Sequence, residues 1–299
     1  LGITAPLSPV APGEVAFVWP RFTERNFAIR DDLRHHAWLE AQQPAVNRPA
    51  GWTLDAGRSN ALHAAISERA GAEAFPVIRL QRTTASDTTA WVRDERATTN
   101  AWVRQRLVTA TLPAGGRLAI VLDGGRGAGA WSEALRAALD QAGGRAEVGV
   151  WIAHDGAIEA FRGEGSLPFT EVSRAVAVKL PAFEGGHDPT PALEAAWNWA
   201  GERRDGTVLW LHGPQPVLAG DFFAIRQRLE RSLAGGTRLL DFAADLGPNL
   251  PAKELANLAA YAPVPRLGPL TADLVRVLRE VTGAAPQSQW ARDRAFREP

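Results

Sequence analysis

From residue 117 to residue 283, short apolar runs alternate with amphipathic stretches. Arg117–Leu122 (RLAIVL), Ala146–Ala153 (AEVGVWIA), Thr207–Leu211 (TVLWL) and Arg238–Ala243 (RLLDFA) are almost unbroken apolar runs. Runs of that kind, rather than alternating ones, mark strands covered on both faces. Trp131–Ala142, Pro191–Gly201, Asp221–Leu233, Ala252–Ala260 and Thr271–Val281 place apolar residues at helical spacing, and Pro191 suits a helix first turn. A further strand is expected within Thr170–Leu180, at Ala175–Val178. The alternation predicts an α/β class: a doubly wound, mainly parallel sheet with helices on both faces, spanning residues 115–283.

Residues 1–114 read differently, as a mixed extension or small N-terminal domain. The first fifteen residues are rich in Pro and Gly and read as a lead-in loop. Val15–Trp19, Phe75–Arg82 and Arg104–Thr111 read as strands. Leu33–Ala41 reads as a short helix, and Ser59–Ala70 as a helix with Ser59 as N-cap and Leu62, Ala65, Ile66 and Arg69 at helical spacing. Thr83–Thr99 reads as a surface crossing, and residues 284–299 as a tail.

Composition narrows the function classes. Lys plus Arg and Asp plus Glu are 33 each, so the net charge is zero. A nucleic-acid binder needs a basic excess or stripe to contact phosphates, and no nucleic-acid partner is expected. With no Cys there is no disulfide, thiolate nucleophile or Cys-ligated metal. No run reaches the roughly 18 apolar residues of a membrane helix, so this segment reads as soluble. A chain that opens on Leu1 and has no Met reads as an excised piece, or as one whose methionines are missing. Eleven Trp against one Tyr reads as large core side chains, with an aromatic binding face as the other reading.

In open α/β sheets, sites form beyond the carboxyl ends of the strands. Three loops lie there: Asp123-Gly124-Gly125-Arg126-Gly127, Gly185-Gly186-His187-Asp188-Pro189-Thr190, and His212-Gly213-Pro214-Gln215-Pro216. Their order and character resemble the von Willebrand factor A domain over about residues 117–283. That family builds a metal-ion-dependent adhesion site from an Asp-x-Ser-x-Ser loop, a Thr in a Gly-Gly-Thr-Asp-like turn, and an Asp in a Thr-Asp-Gly turn. Here the first loop keeps Asp123 but has Gly125 and Gly127 for the serines, His187 stands for the threonine, and His212 for the aspartate. The resemblance implies a binding rim of Asp123, Gly125, Gly127, His187, Asp188 and His212. Losing two hydroxyls and a carboxylate removes the hard oxygens that Mg²⁺ needs. Two readings stay open. Either the metal site is degenerate and no cofactor binds, or Asp123, His187 and His212 hold a divalent metal such as Zn²⁺.

Residues 18–27 and 36–40 resemble the end of, or a sequel to, a vault protein inter-alpha-trypsin domain, a type found ahead of A-type domains in some large bacterial membrane-anchored proteins. An all-β domain of that type does not fit a helix over 59–70. That likeness implies a parent chain anchored in a bacterial membrane. The function expected is a non-enzymatic protein-interaction or adhesion module with a protein partner. The alternatives are a metal-dependent hydrolase using the Asp/His/His cluster with Asp188 as base, and a structural scaffold of a membrane-anchored assembly. The Gly-rich 124–129 loop lacks a Lys-Ser/Thr ending and follows an acidic residue, which speaks against phosphate binding. The absence of Gly-x-Ser-x-Gly speaks against a serine hydrolase.

Overall fold

The computed structural model describes residues 7–11, 13–18, 30, 32–41, 45–55, 57–67, 77–81, 89–93, 101–110, 116–125, 127–154, 156–179, 188–218, 220–231, 236–245, 247–256, 258, 260–283 and 287–297. The described residues divide into two compact units, one of residues 7–110 and 287–297, the other of residues 116–283.

Among its described residues the first unit contains strands and no helix. β1 (Ser8–Ala11), β2 (Glu14–Val18) and β6 (Val77–Gln81) form one antiparallel sheet. β3 (Arg34–Glu40), β5 (Arg58–Ser67) and β4 (Thr53–Asp55) form a second. β7 (Thr89–Arg93), β8 (Ala101–Ala110) and β16 (Gln287–Arg297) form a third.

Several sequence expectations are corrected here. Leu33–Ala41, expected as a helix, contains β3, and Ser59–Ala70, also expected as a helix, overlaps β5. Their burial has period two. Ala37 is buried between exposed His36 and Trp38, and Leu62, Ala64 and Ile66 are buried while His63 and Ala65 are exposed. The alanines of β5 satisfied a helical spacing as well, and cross-strand pairing on both sides overrode it. Thr89–Arg93 is a strand within the expected surface crossing, Ser8–Ala11 a strand within the expected lead-in loop, and Gln287–Arg297 a strand within the expected tail.

The second unit carries a seven-stranded sheet in the order β11-β10-β9-β13-β14-β15, with β12 also pairing β10. Its strands are β9 (Arg117–Asp123), β10 (Arg145–Ala153), β11 (Ala157–Arg162), β12 (Leu167–Pro168), β13 (Thr207–His212), β14 (Arg238–Ala243) and β15 (Tyr261–Pro263). β10, β9, β13, β14 and β15 run parallel, while β11 and β12 are antiparallel additions beside β10. The helices are α1 (Ala128–Ala142), α2 (Phe169–Lys179), α3 (Thr190–Gly201), α4 (Phe222–Arg231), α5 (Leu250–Leu255) and α6 (Leu270–Val281).

Alternation along the strands sorts their side chains into two cores. Leu118, Ile120 and Leu122 of β9 pack with Leu135 and Leu139 of α1, Val172 and Val176 of α2, and Leu274 and Leu278 of α6. Ala119 and Val121 face the other way, with Leu193 and Trp197 of α3, Ile225 of α4 and Leu255 of α5. The fold is therefore the doubly wound α/β sheet expected, with three helices on each face.

Ala175–Val178, expected as a strand, lies in α2. The spacing of Val172 and Val176 buries one face, and Val178 points to solvent. Trp131, Trp151, Trp197, Trp199 and Trp210 are buried core residues, whereas Trp38 on β3 is exposed. No helix among the described residues is long and apolar enough to cross a membrane.

Candidate functional site

Parallel pairing brings the carboxyl ends of β10, β9, β13 and β14 to one edge of the sheet. β9 ends on Asp123 and β13 on His212, and Leu122 pairs Leu211 just before them. The two residues thus end adjacent strands.

Asp123 is half-buried, and both its oxygens are engaged by donors. The Gly125 N–H donates to Oδ1 at 3.1 Å, and the Gln215 side-chain amide donates to Oδ2 at 2.9 Å. A carboxylate only accepts, so the amide nitrogen must face it. Gln215 is itself buried and held through its backbone. Its N–H donates to the Pro248 carbonyl at 2.7 Å, and its carbonyl accepts from Leu250 N at 3.0 Å. Sequence reading did not single out Gln215.

His212 is fully buried, stacked on Trp210 with ring centroids 4.0 Å apart. Its Nε2 lies 2.5 Å from Asp241 Oδ1 and its Nδ1 2.5 Å from the Gly213 carbonyl oxygen. Both ring nitrogens are thus held against oxygen atoms, and the imidazole and the Asp241 carboxylate form a buried pair. Asp241 Oδ2 accepts from Asn249 Nδ2 at 3.0 Å and from the Tyr261 hydroxyl. Burial alone would raise the Asp241 pKa, but the His212, Tyr261 and Asn249 donors outweigh it and hold it below the usual carboxylate range. Burial, with the Asp241 charge beside it, pushes the Tyr261 phenol well above its ordinary value. Asn249 does a second job: its Oδ1 accepts from Ala252 N at 3.1 Å and caps α5. One signal for this network was present in the sequence. A lone carboxylate inside an apolar strand, RLLDFA, requires buried partners.

The glycines of the rim make room for an aromatic ring. A Cβ on Gly213 would sit 2.4 Å from the Trp131 indole, and one on Gly127 would meet the same ring at 3.4 Å. Trp131 is buried and donates from Nε1 to Asp245 Oδ2 at 3.1 Å. Asp188 serves the start of α3: its Oδ1 accepts from the Thr190 N–H at 2.9 Å and from the Thr190 hydroxyl. Gly220 lies against that turn, with no room for a Cβ beside Asp188 and Thr190. His187 lies outside the described residues.

These residues do not fit the metal that the family resemblance implies. Octahedral Mg²⁺ needs several hard oxygens. Positions 125 and 127 supply none, Asp123 is taken up by an amide and a backbone donor, and His212 presents no free nitrogen. Among the described residues no group of three or more His, Asp or Glu is arranged to hold a metal ion.

After Gln215, the connection from β13 to α4 exposes Val217 and Leu218, and the first turn of α4 exposes Phe223. The Arg226 guanidinium lies 5.1 Å from the Phe223 ring centroid.

No family model matches the chain. No curated protein matches it either. Solved structures similar to it include von Willebrand factor A-type proteins. One is a von Willebrand factor type A protein from Catenulispora acidiphila, at 17% identity and TM-score 0.44, covering 61% of this chain and 45% of that one. Another is proximal thread matrix protein 1 from the mussel byssus with a zinc-occupied adhesion motif, at 16% identity and TM-score 0.43, covering 64% and 50%. A third is an aerotolerance-related membrane protein from Bacteroides fragilis, at 12% identity and TM-score 0.36, covering 56% and 98%. The chain spans about half the length of the first two.

Proposed function

We propose that the second unit is a non-enzymatic protein-interaction module of the adhesion type, and that its partner docks on the carboxyl-end rim. The observation that carries this reading is the exposure of Val217 and Leu218 just after Gln215, which donates to Asp123, and of Phe223 in the first turn of α4. Single exposed apolar residues are ordinary, but three within positions 217–223 at the edge where such sheets bind ligands fit a contact surface. The hydrolase alternative finds no support among the described residues: His212 is sealed in the core, and Asp188 is engaged in starting α3. In the first unit, strands alone among the described residues support the inter-alpha-trypsin-type reading, against which a helix over 59–70 had stood.

The test is a photoreactive amino acid placed at position 217 in the native cell, with position 178 on α2, which is even more exposed, as the control. The reading predicts one protein crosslinked from 217 and not from 178, which then binds the purified chain directly. Equal crosslinking from both positions, or none from 217, contradicts it.

A further inference from the structure

We infer that the Gln215 amide stands where a cation would stand at Asp123, so that this rim is shaped without metal. The inference deepens the proposed function and rests on that reading of the rim. Three observations converge. First, the amide donates to Asp123 Oδ2 at 2.9 Å from a side chain that is itself buried, and the Gly125 N–H engages the other oxygen. The carboxylate is therefore satisfied from within, by neutral donors. Second, the Trp131 indole takes the room that a side chain at 213 would need, since a Cβ there would sit 2.4 Å from the ring. The residue after His212 is therefore held to glycine by the ring. Third, Gln215 is fixed by the 247–250 loop. That loop is anchored in turn by Asn249, whose amide donates to Asp241, the carboxylate paired with His212. A chain of hydrogen bonds thus runs from the buried His212–Asp241 pair through Asn249 and the backbone of Gln215 to Asp123. It does for the loop what metal coordination does elsewhere: it sets the loop's position.

A consequence for recognition follows. A metal-bearing rim offers its cation to an acidic side chain of the partner. Here the charge of Asp123 is bound internally, and Val217, Leu218 and Phe223 supply the exposed contact surface. The partner chemistry that fits is an apolar segment rather than a carboxylate.

The probe is the metal alone. The full chain, stripped with EDTA, is titrated with Mg²⁺, Mn²⁺ and Zn²⁺ by calorimetry and by thermal midpoint. The expected result is no saturable binding and no midpoint shift for any ion. Stoichiometric binding that Asp123→Asn abolishes overturns the inference. In parallel, Gln215→Glu sets a second carboxylate against Asp123. Its midpoint is expected to fall in EDTA and to recover with millimolar Mg²⁺ or Mn²⁺ but not with Na⁺ at equal ionic strength. An unchanged midpoint overturns the role given to the amide. If that variant does not fold, Asp123→Ala, Gln215→Ala and the double variant replace it. The double variant is expected to lose no more than the larger single loss, and strictly additive losses overturn the pairing. Crosslinking at position 217 is read independently, so the metal test can fail while the docking surface stands.

Discussion

The Gln215 amide and the Asp123 carboxylate meet at 2.9 Å where two adjacent strands end. Neither residue could have been paired with the other from sequence alone. They are joined because β13 lies beside β9 and because the 247–250 loop, brought in by β14, pins the Gln215 backbone.

The His212–Asp241 pair is expected to be a large single contributor to the stability of the second unit. Removing the partner of a buried carboxylate costs about 3–5 kcal/mol, because the Asp241 charge is left uncompensated. His212→Ala should lose an amount in that range in chemical denaturation at neutral pH. A loss below about 1 kcal/mol, the size of an exposed pair, would show that the pair is not formed.

Acid should weaken the protein through Asp241. Its folded pKa lies below the unfolded carboxylate value of about 3.9, so its stabilisation is fully present above that pH and is lost as pH falls further. Asp241→Asn should lower stability at neutral pH and flatten the part of the stability profile below about pH 4. A variant profile parallel to wild type throughout would contradict the assignment.

Tyr261 is the sole tyrosine of the chain, so tyrosinate absorbance reports it alone. Its folded pKa is raised, so the stability it contributes is present below the unfolded value of about 10 and lost as pH rises above it. Tyrosinate should therefore emerge only together with alkaline unfolding, as followed by circular dichroism. A tyrosinate step near pH 10 in a still-folded protein would mean that the phenol does not face Asp241.

Gly213 is required by Trp131. A Cβ there falls inside contact distance of a buried ring tethered to Asp245, and overpacking of this kind costs about 1–3 kcal/mol. Gly213→Ala should destabilise by that amount and alter tryptophan fluorescence. Gly125→Ala, whose Cβ meets only the Asp123 carboxylate at 3.6 Å or more, should cost much less.

The central sheet was legible because its strands are unbroken apolar runs such as Arg117–Leu122, a pattern that a doubly covered sheet imposes. The helices α1, α3 and α6 were legible for the same reason, through their buried stripes. The first unit was harder to read. In Leu62–Ile66 small and apolar residues satisfy both periods, and only pairing with Arg34–Glu40 and Thr53–Asp55 settles it. Asp123 was legible as a carboxylate ending a strand. His212 was picked out too, yet its role is inward, because Asp241 lies on the neighbouring strand and faces the same side. Gln215, Asn249 and Tyr261 gave no local signal, since polar residues in loops and at an edge strand take their meaning from what the sheet order sets beside them.

The most direct measurement is the dissociation constant of the partner captured at position 217, in EDTA, for wild type and for Val217→Asp/Phe223→Asp. Both positions are exposed, so the double variant should unfold within about 0.5 kcal/mol of wild type per site. Full-strength binding in EDTA and weakening by at least about tenfold, or about 1.4 kcal/mol, in the variant is the result predicted. Binding that needs a divalent cation, or that survives the double substitution unchanged, would contradict a metal-free apolar docking rim.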